Sequence, residues 1–265
     1  MNPNIIILGR TIPAYGLMSV TGFLLALVFI AVFSRKDRIR LENAIYIFSI
    51  GSVGALIGAK LIYILTVFPD FIQDIQLISS DKQYFIGKYV TGGLVFFGGL
   101  TGGILAAWLA AKSYKVRFSS YFDILVPSVI ITAMFGRIGC FMAGCCYGKE
   151  TSSPLGVTFH HSIAGANNLP LFPTQLFEAL FNFVILVVIF ILIKRGLKGT
   201  ALLELYLFSY SVFRFLNEFL RGDAERGFIL DMSVSQWISL LVLALLTVRQ
   251  RFRSEERRVG KECRS

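Results

Sequence analysis

Apolar and polar positions fall into long blocks along this chain, instead of alternating at the short periods of half-buried helices or strands. Seven mostly apolar stretches of about twenty residues stand out: Ile12 to Phe33, Asn43 to Phe68, Val90 to Ala111, Tyr121 to Ala143, Pro173 to Ile193, Ala201 to Leu220 and Val234 to Val248. That is the length at which one helix crosses the hydrocarbon core of a bilayer. The pattern predicts an all-α polytopic membrane protein with seven transmembrane helices. Met1 to Thr11 reads as a short polar lead. The length of the first block, and the absence of a small-residue cleavage pattern, predict a retained helix and not a signal peptide. Between the second and third blocks, Pro69 to Lys88 is polar, with Phe71 to Ile78 patterned as an amphipathic surface helix. The longest connection, 145–172, carries both histidines, His160 and His161, expected to face solvent.

Loop charges orient the bundle. Loops one, three and five plus the end of the last span hold twelve Lys/Arg, among them Arg35, Lys115, Arg195 and Arg251; the N-terminus and the other loops hold six. Positive charge accumulates on the cytoplasmic side. The N-terminus is therefore expected outside, the C-terminus in the cytoplasm, and loop 145–172 outside. Composition agrees: 55% of residues are hydrophobic and 16% charged, which excludes an ordinary soluble domain and any role built on nucleic acid.

Arg253 to Ser265 (RSEERRVGKECRS) matches the translation of a common short-read sequencing adapter and is read as an assembly artefact. Setting it aside leaves one expected domain, 1–252, and lowers the net charge from +10 by the tail's five basic and three acidic residues. It also removes Cys263. The three remaining cysteines suggest no disulfide framework.

Chemistry concentrates where the fourth block ends, in Gly136-Arg137-Ile138-Gly139-Cys140-Phe141-Met142-Ala143-Gly144-Cys145-Cys146-Tyr147-Gly148. An arginine within a span is costly and by default marks a function. In the sixth block Tyr210, Arg214, Glu218 and Arg221 recur at helical spacing and predict one polar stripe. One reading is a structural Arg214–Glu218 pair. The other joins the stripe to Arg137, because two guanidinium forks suit a phosphate. Gln175 and Glu178 lie one turn inside the fifth span, as interhelical glue or as substrate-positioning groups. For Cys140, Cys145 and Cys146, small-residue packing is the expected role and a reactive thiol the alternative. The C-x4-CC spacing does not match zinc templates, so no metal is expected.

These pieces resemble the bacterial prolipoprotein diacylglyceryl transferases, in order and along nearly the whole chain. The similar blocks are Ala14-Tyr15-Gly16-Leu17-Met18, Gly58-Ala59-Lys60-Leu61, Gly92-Gly93-Leu94 with Gly98-Gly99-Leu100, Gly136-Arg137-Ile138-Gly139 with Phe141 and Gly148, Pro173 to Glu178, and Arg214-Phe215 with Glu218 and Arg221. The resemblance implies a multi-pass enzyme of the bacterial cytoplasmic membrane that needs no cofactor. It would move diacylglycerol from phosphatidylglycerol, a membrane lipid, to the lipobox cysteine of a prolipoprotein. It also implies catalytic roles for Arg137, Arg214, Tyr15 and Tyr210. Arg137, Gly98, Gly99, Gly148, Gln175, Glu178, Glu218 and Arg221 would contact substrate. The chain departs from the family at three places: Phe97 stands where the family has His, Cys140 where it has Asn, and Cys145 where it has Glu. Phe97 cannot take a proton. A second reading is therefore a paralogue of the same fold that binds an anionic phospholipid without this transfer, or uses another acceptor.

Overall fold

The computed structural model describes residues 3–7, 9–34, 40–91, 93, 95–222 and 228–262. Gly92, Leu94 and the charged run 35–39 thus lie outside the described residues. The chain divides into two compact units, Met1–Phe29 with Val126–Ser265, and Ile30–Leu125.

The expected polar lead is a β-hairpin. Strands β1 (Asn4–Ile7) and β2 (Arg10–Pro13) pair antiparallel around Gly9, whose φ of +75° suits a residue without Cβ. The first helix therefore starts later than its apolar block, at Ala14, after Pro13. There the Ala14 N–H bonds the Pro3 carbonyl at 2.7 Å, which fastens the hairpin to the start of α1 (Ala14–Phe33).

The second unit is organised by α2 (Leu41–Thr66) and α6 (Phe96–Ser113). Their interface is glycine against glycine. A Cβ placed on Gly58 would fall on the Gly98 carbonyl oxygen, and one on Gly98 would fall on the Gly58 carbonyl. A Cβ on Gly54 would sit 2.7 Å from the Gly102 carbonyl oxygen. Lipid-embedded helices gain little from hydrophobic burial, so close backbone approach and dispersion hold such a pair. Asn43 adds a buried hydrogen bond to Tyr121 Oη at 3.1 Å.

Between these helices the expected single amphipathic helix is split into α3 (Phe68–Asp74) and α4 (Leu77–Ser80), followed by α5 (Lys82–Phe85) and a π-helical turn, Ile86–Thr91. At the end of α3, Lys88 Nζ (2.8 Å) and Tyr89 Oη (2.7 Å) both bond the Asp74 carboxylate. Those hydrogen bonds, that of Lys88 first, hold its carboxyl below the usual carboxylate range. Phe71 packs against Phe85 and Tyr89. The helix of the expected third span begins at Phe96, not Val90, because the left-handed Gly93 (φ +64°) interrupts the helix and its carbonyl takes a bond from Lys60 Nζ at 3.1 Å.

In the first unit, α7 (Phe122–Ala143), α8 (Thr174–Lys194) and α9 (Thr200–Asn217) lie close to their expected limits. The loop before α8 is pinned by the two-residue strands β3 (Val157–Thr158) and β4 (Pro170–Leu171), and His160 and His161 are both exposed as expected. A last short hairpin, β5 (Phe228–Ile229) with β6 (Met232–Ser233), leads into α10 (Val234–Glu262), which continues through the expected stop at Val248 into the adapter-like tail. Among the described residues, four helical segments are long and apolar enough to cross a membrane: Ala14–Phe33, Leu41–Thr66, Phe118–Ala143 and Thr174–Lys194. Helix α9 is shorter and carries Glu204 and Arg214.

The glycine interface makes a direct prediction. Gly58→Ala should destabilise the protein in detergent by about 1–3 kcal/mol, the usual cost of overpacking. Gly87→Ala, where an added Cβ meets nothing within 4 Å, should leave the thermal midpoint in place. Equal midpoints for the two variants would contradict this account of the α2–α6 contact.

Candidate active site

Helix α7 ends in a Schellman motif, and the site grows from it. Gly144 takes φ +70°, its N–H bonds the Phe141 carbonyl at 3.2 Å, and the Cys145 N–H bonds the Cys140 carbonyl at 3.1 Å. The turn folds the chain back over the last helical turn. Cys145 Sγ thereby reaches the Cys140 carbonyl at 3.7 Å. Cys146, with φ +59°, continues the reversal, and the three Sγ atoms lie within 4.8 Å of one another. The C-x4-CC spacing, which matches no zinc template, is closed by this cap. Hydrogen bonds from the Cys140 and Cys145 thiols, then the Arg137 and Arg221 charges, hold the Cys146 thiol below its ordinary range.

The start of α8 clamps this turn. Thr174 Oγ1 donates to the Cys146 carbonyl at 2.8 Å and Gln175 Nε2 to the Cys145 carbonyl at 2.6 Å. Because Cys145 offers a carbonyl, the Gln175 amide must present its NH2 there. Its Oε1, on a side chain only 1% exposed, has no hydrogen-bond partner among the described residues. Gly148 then crosses between two strands of backbone: its N–H bonds the Phe172 carbonyl at 2.7 Å, it bridges Arg221, and a Cβ there would sit 2.7 Å from the Leu220 carbonyl oxygen. Only glycine fits.

One turn further along α8 is Glu178, buried, on which three helices converge. Arg137 of α7 approaches with Nε 2.9 Å from Oε1, and Arg214 of α9 with Nη1 3.5 Å from Oε2. Tyr210 donates its hydroxyl to Oε1 at 2.7 Å. Arg214 also reaches Glu218 (3.0 Å) and Ser235 (3.1 Å) through Nη2. Behind this layer, Asn182 Nδ2 bonds the Glu178 carbonyl at 2.7 Å, and Tyr206 bonds Asn182 at 3.2 Å. A buried carboxylate is tolerable only when its charge is matched and its lone pairs are occupied. Here both conditions hold.

The expected residues are therefore distributed unevenly. Arg137, Glu178, Tyr210, Arg214 and Glu218 form one network. Gln175 lies on the Cys145 carbonyl, Gly148 bridges Arg221, and Tyr15 packs on Gly139, whose Cβ would stand 3.2 Å from the Tyr15 ring. The local Arg214–Glu218 pair is present. Gly98 and Gly99 belong to the other compact unit, in its α2–α6 contact. Reasoning from sequence expected polar partners for Glu178 without seeing that it joins both arginines. It did not single out Thr174, Asn182, Tyr206 or Ser235, although Asn182 falls one turn beyond Glu178 on the same face.

A family model for prolipoprotein diacylglyceryl transferase matches residues 3–249. The phosphatidylglycerol–prolipoprotein diacylglyceryl transferase of Clostridium tetani is 33% identical over 237 residues, covering 89% of this chain and 91% of that relative. A protein of Clostridium perfringens named phosphatidylglycerol–prolipoprotein diacylglyceryl transferase 2 is 33% identical across 89% of each chain. The transferase of Rickettsia bellii is 31% identical across 98% of each. By the extent of the family match and of these three alignments, the chain belongs to the prolipoprotein diacylglyceryl transferase family.

Proposed function

We propose that this protein transfers the diacylglyceryl group of phosphatidylglycerol to the lipobox cysteine of a prolipoprotein. The observation that carries the reading is the pair of guanidinium groups, from α7 and α9, held together on the buried Glu178 carboxylate. Each guanidinium has five N–H donors, more than the shared carboxylate can occupy. The remaining donors suit the oxygens of a lipid phosphodiester. In the reaction the acceptor sulfur attacks the glyceryl carbon, the carbon–oxygen bond breaks, and the electron pair goes to phosphate. Charge gathers on the leaving glycerol phosphate, where Arg137 and Arg214 stabilise it. Tyr210, fixed by Glu178, and Tyr15, packed on Gly139, take the role of orienting the head group. Gln175, Glu218, Arg221 and Gly148 shape its rim, and Gly98 and Gly99 contact lipid. The relatives compared carry the transferase name, which gives the lipid-binding paralogue reading no support.

The same reading places the protein in the bacterial cytoplasmic membrane with seven spans, the N-terminus and loop 145–172 outside and the C-terminus inside. A cysteine replacing exposed His160 should then react with an impermeant maleimide in intact cells, and one replacing exposed Lys198 only after lysis. The opposite labelling pattern reverses the topology.

Arg137→Lys and Arg214→Lys keep a charge and lose the fork. Each should weaken phosphatidylglycerol binding by about 1.5–3 kcal/mol and slow transfer by about 10²-fold. Unchanged binding in both variants would remove the arginines from the phosphate. Transfer itself is expected to be measurable with phosphatidylglycerol and a lipobox peptide, read as thioether product by mass spectrometry. Phe97→His, which adds a proton acceptor, should raise the rate. Product absent from both parent and Phe97→His, with lipid still bound, would restore the paralogue reading.

A further inference from the structure

The transfer proposed above needs the acceptor thiol as thiolate, and position 97, where the resemblance implies a histidine, is phenylalanine in this chain. Among the described residues of the arginine network both carboxylates are already engaged, Glu178 by two guanidinium groups and a tyrosine and Glu218 by Arg214. What the site does contain is three thiols in one place. Cys140, Cys145 and Cys146 have their sulfurs within 4.8 Å of one another, Cys140 buried and the others half-buried. Zinc–sulfur bonds of about 2.3 Å at tetrahedral angles place sulfurs roughly 3.8 Å apart, within that envelope. The backbone that carries them is held from outside the cluster. Thr174 and Gln175 bond the carbonyls of Cys146 and Cys145, and the Schellman turn bonds the carbonyl of Cys140. Such outer hydrogen bonds orient ligands before the ion arrives.

We propose that Cys140, Cys145 and Cys146 bind one zinc ion and leave its fourth position open to the lipobox thiol. The proposal rests on the transferase reading above. Zinc with three protein ligands keeps an exchangeable position, and a thiol coordinated there is deprotonated outright. Catalysis then needs no histidine at position 97. The acceptor S–H bond breaks as sulfur binds zinc, and its proton passes to water. The sulfur lone pair forms the S–C bond to the glyceryl carbon. The C–O bond to phosphate breaks with its electrons on oxygen, and the released glycerol phosphate takes up a proton. Zinc stays divalent and nothing is oxidised or reduced. The neutral thioether is a poor ligand and leaves, which frees the position.

The test uses the full chain, purified in detergent with a phosphine reductant. Elemental analysis should find one zinc per chain after gel filtration, falling to background in Cys140→Ser, Cys145→Ser and Cys146→Ser. Retained thermal midpoint and phosphatidylglycerol binding in at least one of these variants shows that the loss is not unfolding. Cobalt substituted for zinc should show thiolate charge-transfer absorption that changes when a lipobox peptide is added, but not when the peptide's cysteine is replaced by serine. Chelation should slow transfer by about 10²-fold, the scale of lost acid–base assistance, and zinc should restore it. No bound zinc, zinc unaffected by the serine changes, or a disulfide among these thiols in the active protein would overturn the proposal. So would a cobalt spectrum indifferent to the peptide. Zinc bound and responsive to peptide, with no thioether formed, would instead overturn the transferase reading and leave the metal site standing.

Discussion

A single carboxylate holds the site together. Glu178 lies in a buried helix start and is reached by guanidinium groups from two other helices, so its ionisation is what lets Arg137 and Arg214 stand near each other. Two cations at that distance in a low dielectric repel strongly. The carboxylate between them, neutralised in turn by both, converts repulsion into a three-helix tie. Removing one partner from such an arrangement costs on the order of 3–5 kcal/mol, because a buried charge is left uncompensated. The second carboxylate, Glu218, shares Arg214 and brings the total charge of the cluster near zero.

Around that tie the backbone is fixed by features of a different kind. Gly144 closes α7 because it accepts a left-handed conformation, whereas Gly148 and the α2–α6 glycines serve because a Cβ has no room. The result at the end of α7 is a turn whose carbonyls are all claimed. Its side chains are therefore aimed without help from a ligand. Pre-organisation of this sort is what a reacting centre needs if alignment is not to be acquired anew in each turnover.

Much of this was legible in the sequence, for physical reasons that differ by element. Apolar blocks of bilayer length fix where helices run, and α7, α8 and α9 lie within a few residues of them. The Tyr210–Arg214–Glu218 stripe follows from helical spacing alone. Which helices meet does not, because pairing depends on rotation and register that periodicity leaves free; hence Glu178 was expected as polar but not as the centre. The N-terminal hairpin was missed because its short strands resemble an unstructured lead, although Gly9 between Asn4–Ile7 and Arg10–Pro13 was the available signal. That the three cysteine sulfurs meet does not follow from the C-x4-CC spacing alone: a helix cap folds Cys145 back onto Cys140, and a glycine directly after the last helical residue was the clue.

Synthesis order adds a consequence of the Arg137–Glu178 pair. Helix α7 leaves the ribosome before α8, so Arg137 must be accepted into the bilayer while its carboxylate does not yet exist. An arginine at mid-span costs about 2.5–3.5 kcal/mol on insertion scales, and less near a span end. The apolar residues of α7 can carry that deficit for the time one loop and one helix take to be made. Arg214 meets no such delay, since Glu178 is already in place when α9 emerges. The Arg137–Glu178–Arg214 network is thus assembled from its most costly residue first, and α8 supplies the carboxylate that joins it.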